Sequence, residues 1–154
     1  MQGSGRDIES LEQVTKMTKI TLLDGGMGQE LIRRSGEAPT PLWSTQVMID
    51  HPGMVAAVHA DYRAAGATVH TTNTYAIHRD RLEGTGLEDR FADLTAAALT
   101  EAQGSGRIAG SIGPLIASYR PDIHPAHDIA VPAYAEVAAL IAPRVDLFLC
   151  ETVA

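Results

Sequence analysis

Asp24 stands at the end of a short apolar run, Ile20 to Leu23, and is followed by the pair Gly25-Gly26. A carboxylate at the end of a buried strand faces whatever sits above the sheet. It suits a cationic group such as an amino acid's ammonium, or a water or metal. Glycine lets the backbone turn tightly and lets a ligand approach main-chain N–H groups. The same three residues also make a plain βα turn with a solvated acid. The stretch matches neither G-x-G-x-x-G nor G-x-x-x-x-G-K, which weakens a phosphate-loop reading.

Similar polar groups recur further along. Thr71, Thr72, Asn73, Thr74 and Tyr75 follow a β-rich run and supply hydroxyl and amide groups where a βα loop begins. Ordinary strand-end turn chemistry accounts for such a cluster equally well. Gly113-Pro114 closes RIAGSI, and Glu151-Thr152 closes VDLFLC. Four polar or glycine-rich strand ends on one face weigh more than any single motif.

Other constellations are weaker. The histidines are His51, His59, His70, His78, His124 and His127. Only His124 and His127 are closely spaced, in a proline-containing loop, and no three are expected to converge as a metal site needs. Cys150 lies within an apolar strand pattern, where a thiol packs as a small, inert hydrophobe. No Ser-His-Asp arrangement has a recognisable spacing. Trp43 is the only tryptophan; packing is its expected role and lining a pocket the lesser alternative.

The elements that must position these groups alternate. Apolar β-rich runs at 20–23, 68–72, 107–112 and 145–150 are separated by helical patterns. The first helix starts at Met27. A second starts at Asp50-His51-Pro52, a third covers Leu87 to Ala102, and a fourth begins at Pro132. Leu115 to Ala130 reads as a long loop. Regular alternation with crossover helices implies an α/β fold with a parallel sheet, whose ligands gather at the carboxyl ends of the strands. Residues 1–18 read as a disordered tail and 19–154 as one domain.

Composition narrows the class. Of 154 residues 45% are apolar and 20% charged, as in a soluble globular domain. The net charge of −7 argues against nonspecific nucleic-acid binding. No apolar run approaches the roughly 20 residues of a membrane span. One cysteine excludes an internal disulfide framework and fits a cytoplasmic location.

The segments LLDGGMGQEL, PLWSTQVMIDHPGMVAAVHADYRAAGATVHTTNTY, AGSIGPLIASYRPD and VDLFLCET together resemble the N-terminal half of the homocysteine S-methyltransferase family. That family includes enzymes using S-methylmethionine or betaine and the homocysteine domain of cobalamin-dependent methionine synthase. The resemblance covers about residues 19 to 154. It implies the first four strands of a TIM-type (β/α)8 barrel, a half-barrel. It also implies homocysteine and a small-molecule methyl donor as partners, and methionine as product. By motif, Asp24 and Glu151 resemble the carboxylates that hold the homocysteine ammonium. Gly25 and Thr71 resemble groups at the amino-acid end, and Asn73 and Tyr75 resemble pocket-lining residues near the metal or methyl donor. The family activates the thiol on zinc held by three cysteines, in G-x-N-C and G-G-C-C segments. Neither segment occurs here, and Cys150 matches none of the three. The expectation is a chain with the homocysteine-anchoring half and no catalytic or metal residues, inactive alone and active within a longer parent. The alternative is a non-catalytic half-barrel that binds an amino acid or self-associates through open barrel edges. The methyl donor is not specified by these segments.

Overall fold

The computed structural model describes residues 20–153; the expected tail at 1–18 lies outside them. The central element is β2 (Arg107–Ile112), buried along its length after Arg107. It pairs in parallel with β1 (Val69–Thr71) on one side and β3 (Leu147–Cys150) on the other. Apolar and small residues on both faces are what a strand needs when helices cover it. Gly110 shows the packing limit: a Cβ there would press into the Ile141 side chain.

Among the described residues the sheet has three strands, not the expected four. The run at 20–23 forms only an isolated parallel bridge, Leu23 to Val69. Thr68 N–H donates to the Leu22 carbonyl at 2.9 Å, and Asp24 N–H to the Val69 carbonyl at 3.0 Å. The physical reason is that no strand among the described residues pairs with the outer edge of this run. Ile20 is 81% exposed, and Leu22 and Leu23 are about half exposed. The other edge has the same character. β3 alternates half-buried and exposed positions, and Cys150 is exposed rather than buried as its apolar context suggested.

Among the described residues three helices precede β1. The first, α1 (Met27–Ser35), buries Met27 and Leu31, one turn apart, and ends at Gly36 in the left-handed region. Next come α2 (Ser44–Asp50) and α3 (Met54–Ala64), the latter burying Val55, Val58 and His59 on one face. Asp50 therefore closes α2 and does not start the next helix. The cap of α3 comes from far along the chain: Gly53 N–H and Ala56 N–H donate to the Glu101 carboxylate at 3.0 and 3.1 Å. An anion at a helix N-terminus satisfies its free N–H groups and its dipole.

After β1 come the short α4 (Arg79–Leu82) and α5 (Phe91–Glu101), which buries Phe91, Leu94, Ala98 and Leu99. Between β2 and β3 lies α6 (His127–Ile141). It begins five residues before Pro132, which sits inside it. Pro132 is exposed, so the carbonyl that loses its N–H partner can bond water instead. No helix among the described residues is long and apolar enough to cross a membrane.

Gly113, just past β2, meets Tyr75. A Cβ there would press into the Tyr75 carbonyl oxygen and stand 2.9 Å from the ring. Backbone cannot yield as a side-chain tip can. Gly113→Ala is therefore expected to destabilise the fold by about 1–3 kcal/mol, read as a lowered urea midpoint. An unchanged midpoint contradicts this packing.

Candidate functional site

A cleft of about 510 Å³ opens at the carboxyl ends of the strands, and Asp24, Gly25, Thr71, Asn73, Tyr75 and Glu151 all line it. The bridge at Leu23 carries Asp24, β1 carries Thr71, and Glu151 directly follows β3. Parallel register brings the three together, since Thr71 pairs with Ala109 and Ile112 with Cys150.

The Asp24 side chain is 2% exposed. Thr71 N–H donates to Oδ2 at 2.7 Å and Thr71 Oγ1 to Oδ1 at 2.8 Å. Thr71 thus orients the acid rather than merely standing beside it. Burial pushes the Asp24 carboxyl up, and the two Thr71 hydrogen bonds pull the other way. Glu151 is held in a parallel manner: Ser111 Oγ donates to Oε1 at 2.6 Å.

The threonine-rich strand end divides its work. Thr74 Oγ1 donates to the Ser111 carbonyl at 2.6 Å, so in its 2.7 Å contact with Thr72 Oγ1 the proton comes from Thr72. Ser111 N–H donates in turn to Thr72 Oγ1 at 3.0 Å. These hydroxyls stitch β1 to β2. The Asn73 amide donates to the Ser44 carbonyl at 3.2 Å and so anchors α2. The Tyr75 hydroxyl is 2.8 Å from Ser118 Oγ. Arg81 donates to Ser118 Oγ and to the Pro114 carbonyl, with its guanidinium 5.7 Å from the Tyr75 ring centroid.

Gly25 lies against protein: a Cβ there would stand 2.8 Å from the Tyr62 hydroxyl oxygen. Trp43 lines the cleft at 42% exposure, with a positive φ of 47°, and its ring packs where a Cβ on Gly28 would stand 3.0 Å from the indole nitrogen. Sequence reasoning missed Ser111, Ser118 and Arg81, whose importance lies only in what they touch.

The histidines require a correction. His59 and His70 converge with Asp24, their ligand-capable atoms all within 4.8 Å of one another. Both rings are buried and edge-to-face, 5.7 Å apart at 84°. None of their four nitrogens has a hydrogen-bond partner. The signal was present in the pattern, because His59 falls on the apolar face of α3 with Val55 and Val58. His124 instead stacks on Tyr134, and His127 opens α6.

Asp24, His59 and His70 are the residues here that could hold a metal. Zinc bonds of about 2.0–2.2 Å put tetrahedral ligand atoms some 3.3–3.5 Å apart; the closest approach of His59 Nδ1 to Asp24 is 3.8 Å. The three-thiolate zinc site does not fit this chain either. Its one thiol, Cys150, is exposed and does not line the cleft.

The family model for homocysteine S-methyltransferase matches residues 21–154. The chain is 33% identical over 158 residues to the homocysteine S-methyltransferase of Escherichia coli, covering 86% of this chain and 50% of that protein. It is 26% identical over 167 residues to homocysteine S-methyltransferase YbgG of Bacillus subtilis, covering 93% and 53%. Among solved structures, the metallated form of the E. coli homocysteine methyltransferase MmuM superimposes with a TM-score of 0.78 at 26% identity. That match covers 93% of this chain and 57% of the other. The chain spans about half the length of the curated relatives it matches.

Proposed function

The chain belongs to the homocysteine S-methyltransferase family, and from that premise we propose that its cleft holds homocysteine by the ammonium, with Asp24 and Glu151 as the two anions. One observation carries this reading. Two carboxylates at separate strand ends line one cleft, and each is aimed by a hydroxyl from a neighbouring strand, Thr71 for Asp24 and Ser111 for Glu151. Two acids sharing a cleft repel one another unless a cation lies between them, and an ammonium supplies both charge and donors.

In a longer protein the anchored sulfur would attack the methyl carbon of a donor. The S–CH₃ bond forms, the thiol proton leaves, and the bond to the donor's leaving group breaks with its electron pair. This chain binds and orients the amino-acid end. An unperturbed thiol has a pKa of about 8.5 and stays mostly protonated near neutral pH, so the attack calls for an activating group.

Calorimetric titration of the 154-residue chain with L-homocysteine and with 4-mercaptobutanoate, which lacks the amine, tests the reading. Homocysteine is expected to bind at least about tenfold more tightly, as loss of a charge-assisted contact implies. Equal affinity for the two removes the ammonium from the explanation.

A further inference from the structure

We infer that His59 is the positioning residue for Asp24: a neutral hydrogen-bond donor behind the carboxylate, fixing its orientation without cancelling its charge. The effect on ligand affinity rests on the anchoring role proposed for Asp24; the tautomer and the carboxylate geometry do not.

His59 Nδ1 lies 3.8 Å from Asp24 Oδ2, with side-chain exposures of 1% and 2%. A bridging water needs about 4.5 Å between the groups it joins, at ordinary hydrogen-bond lengths. No water fits, so ring and acid face each other directly, and a movement of under about 1 Å completes the hydrogen bond. No other partner competes, because neither ring nitrogen of His59 is hydrogen-bonded. An ionised carboxylate only accepts, so the nitrogen facing it carries the proton, and Nε2 is the bare acceptor.

Charge decides what such a donor is for. The His59 side chain is 1% exposed, and a cation buried that deeply is costly, which favours the neutral ring. An imidazolium would form an ion pair with Asp24 and spend the negative charge inside the protein. A neutral ring contributes a dipole and leaves the charge for a ligand. A carboxylate has about four lone-pair sites. Thr71 takes one on each oxygen, and a bond from His59 would take a second on Oδ2, which leaves Oδ1 with capacity for an ammonium. His70 backs the arrangement edge-to-face, wedged where a Cβ on Gly106 would come within 3.5 Å of its ring.

Two kinds of measurement test this on the 154-residue chain. With ¹⁵N-labelled histidine, NMR of the unliganded protein between pH 6 and 8 is expected to show His59 as the neutral Nδ1–H tautomer. The Nε2–H tautomer or an imidazolium overturns the inference. Both imidazoles shifting together on adding one equivalent of zinc overturns it in favour of a metal site. Variants then separate donation from packing. His59→Asn keeps an N–H near the Nδ1 position, whereas His59→Leu fills the space without a donor. The Asp24 carboxyl ¹³C resonance and the affinity for L-homocysteine are expected to stay near wild type in H59N. In H59L the resonance moves and affinity falls about tenfold. Wild-type values of both in H59L mean packing alone and overturn the inference. If wild type binds no homocysteine, the anchoring role fails, while the tautomer and the carboxyl resonance still decide the role of His59.

Discussion

Asp24→Asn is expected to weaken L-homocysteine binding by about 10- to 100-fold, equivalent to about 1.5–3 kcal/mol for one charge-assisted contact in a buried site. The substitution is nearly isosteric, and the neighbourhood can accommodate it. With its carbonyl toward the Thr71 N–H, the new amide presents its NH₂ to Thr71 Oγ1, and that hydroxyl can turn from donor to acceptor. The fold therefore survives while the charge is lost. Calorimetry on the variant, with circular dichroism to confirm folding, reads the effect. Unchanged affinity in a folded variant removes Asp24 from the site.

Acid should destabilise the protein well above the usual carboxylate range. Burial holds His59 and His78 at about 4, against 6.5 for an ordinary histidine. Between those values the unfolded chain binds protons that the folded chain refuses, so stability falls as pH falls from 6.5 toward 4. Each histidine contributes up to about 3 kcal/mol of this loss, at 1.36 kcal/mol per unit. Asp24 works in the opposite direction, because its raised carboxyl takes up a proton in the folded state first. The lowered carboxyls of Glu30, Glu88, Asp122 and Glu136 lose their contribution only below about 4.5, so between 6.5 and 4.5 the two histidines drive the fall, with Asp24 opposing it. Urea midpoints should drop steadily across that window, with a shallower slope in His78→Leu. A flat profile down to pH 4.5 contradicts neutral burial of both rings.

What was legible in the sequence is what local pattern determines. RIAGSI reads as a buried strand and is one, from Arg107 to Ile112. The helix after Gly26 begins at Met27 as its apolar spacing requires. All six candidate substrate-binding residues line one cleft, because parallel alternation sends every strand end to the same face. The misreadings share one cause, information held by a distant partner. The cap of α3 belongs to Glu101, so Asp50-His51-Pro52 misled. Cys150 is exposed because β3 pairs with β2 on one side alone among the described residues, which no pattern within VDLFLC reveals. His59 and His70 meet Asp24 because a helix face packs on a strand, and Thr71 clamps an acid 47 positions earlier. Spacing along the chain puts His59 on the buried face of its helix but does not say what it meets there.

The most direct test of the central claim is a crystal structure of the 154-residue chain with L-homocysteine. The ammonium nitrogen is expected between the Asp24 and Glu151 carboxylates, at the roughly 2.7–2.9 Å of charge-assisted hydrogen bonds. Homocysteine bound outside this cleft, or turned so that its ammonium touches neither acid, contradicts the account.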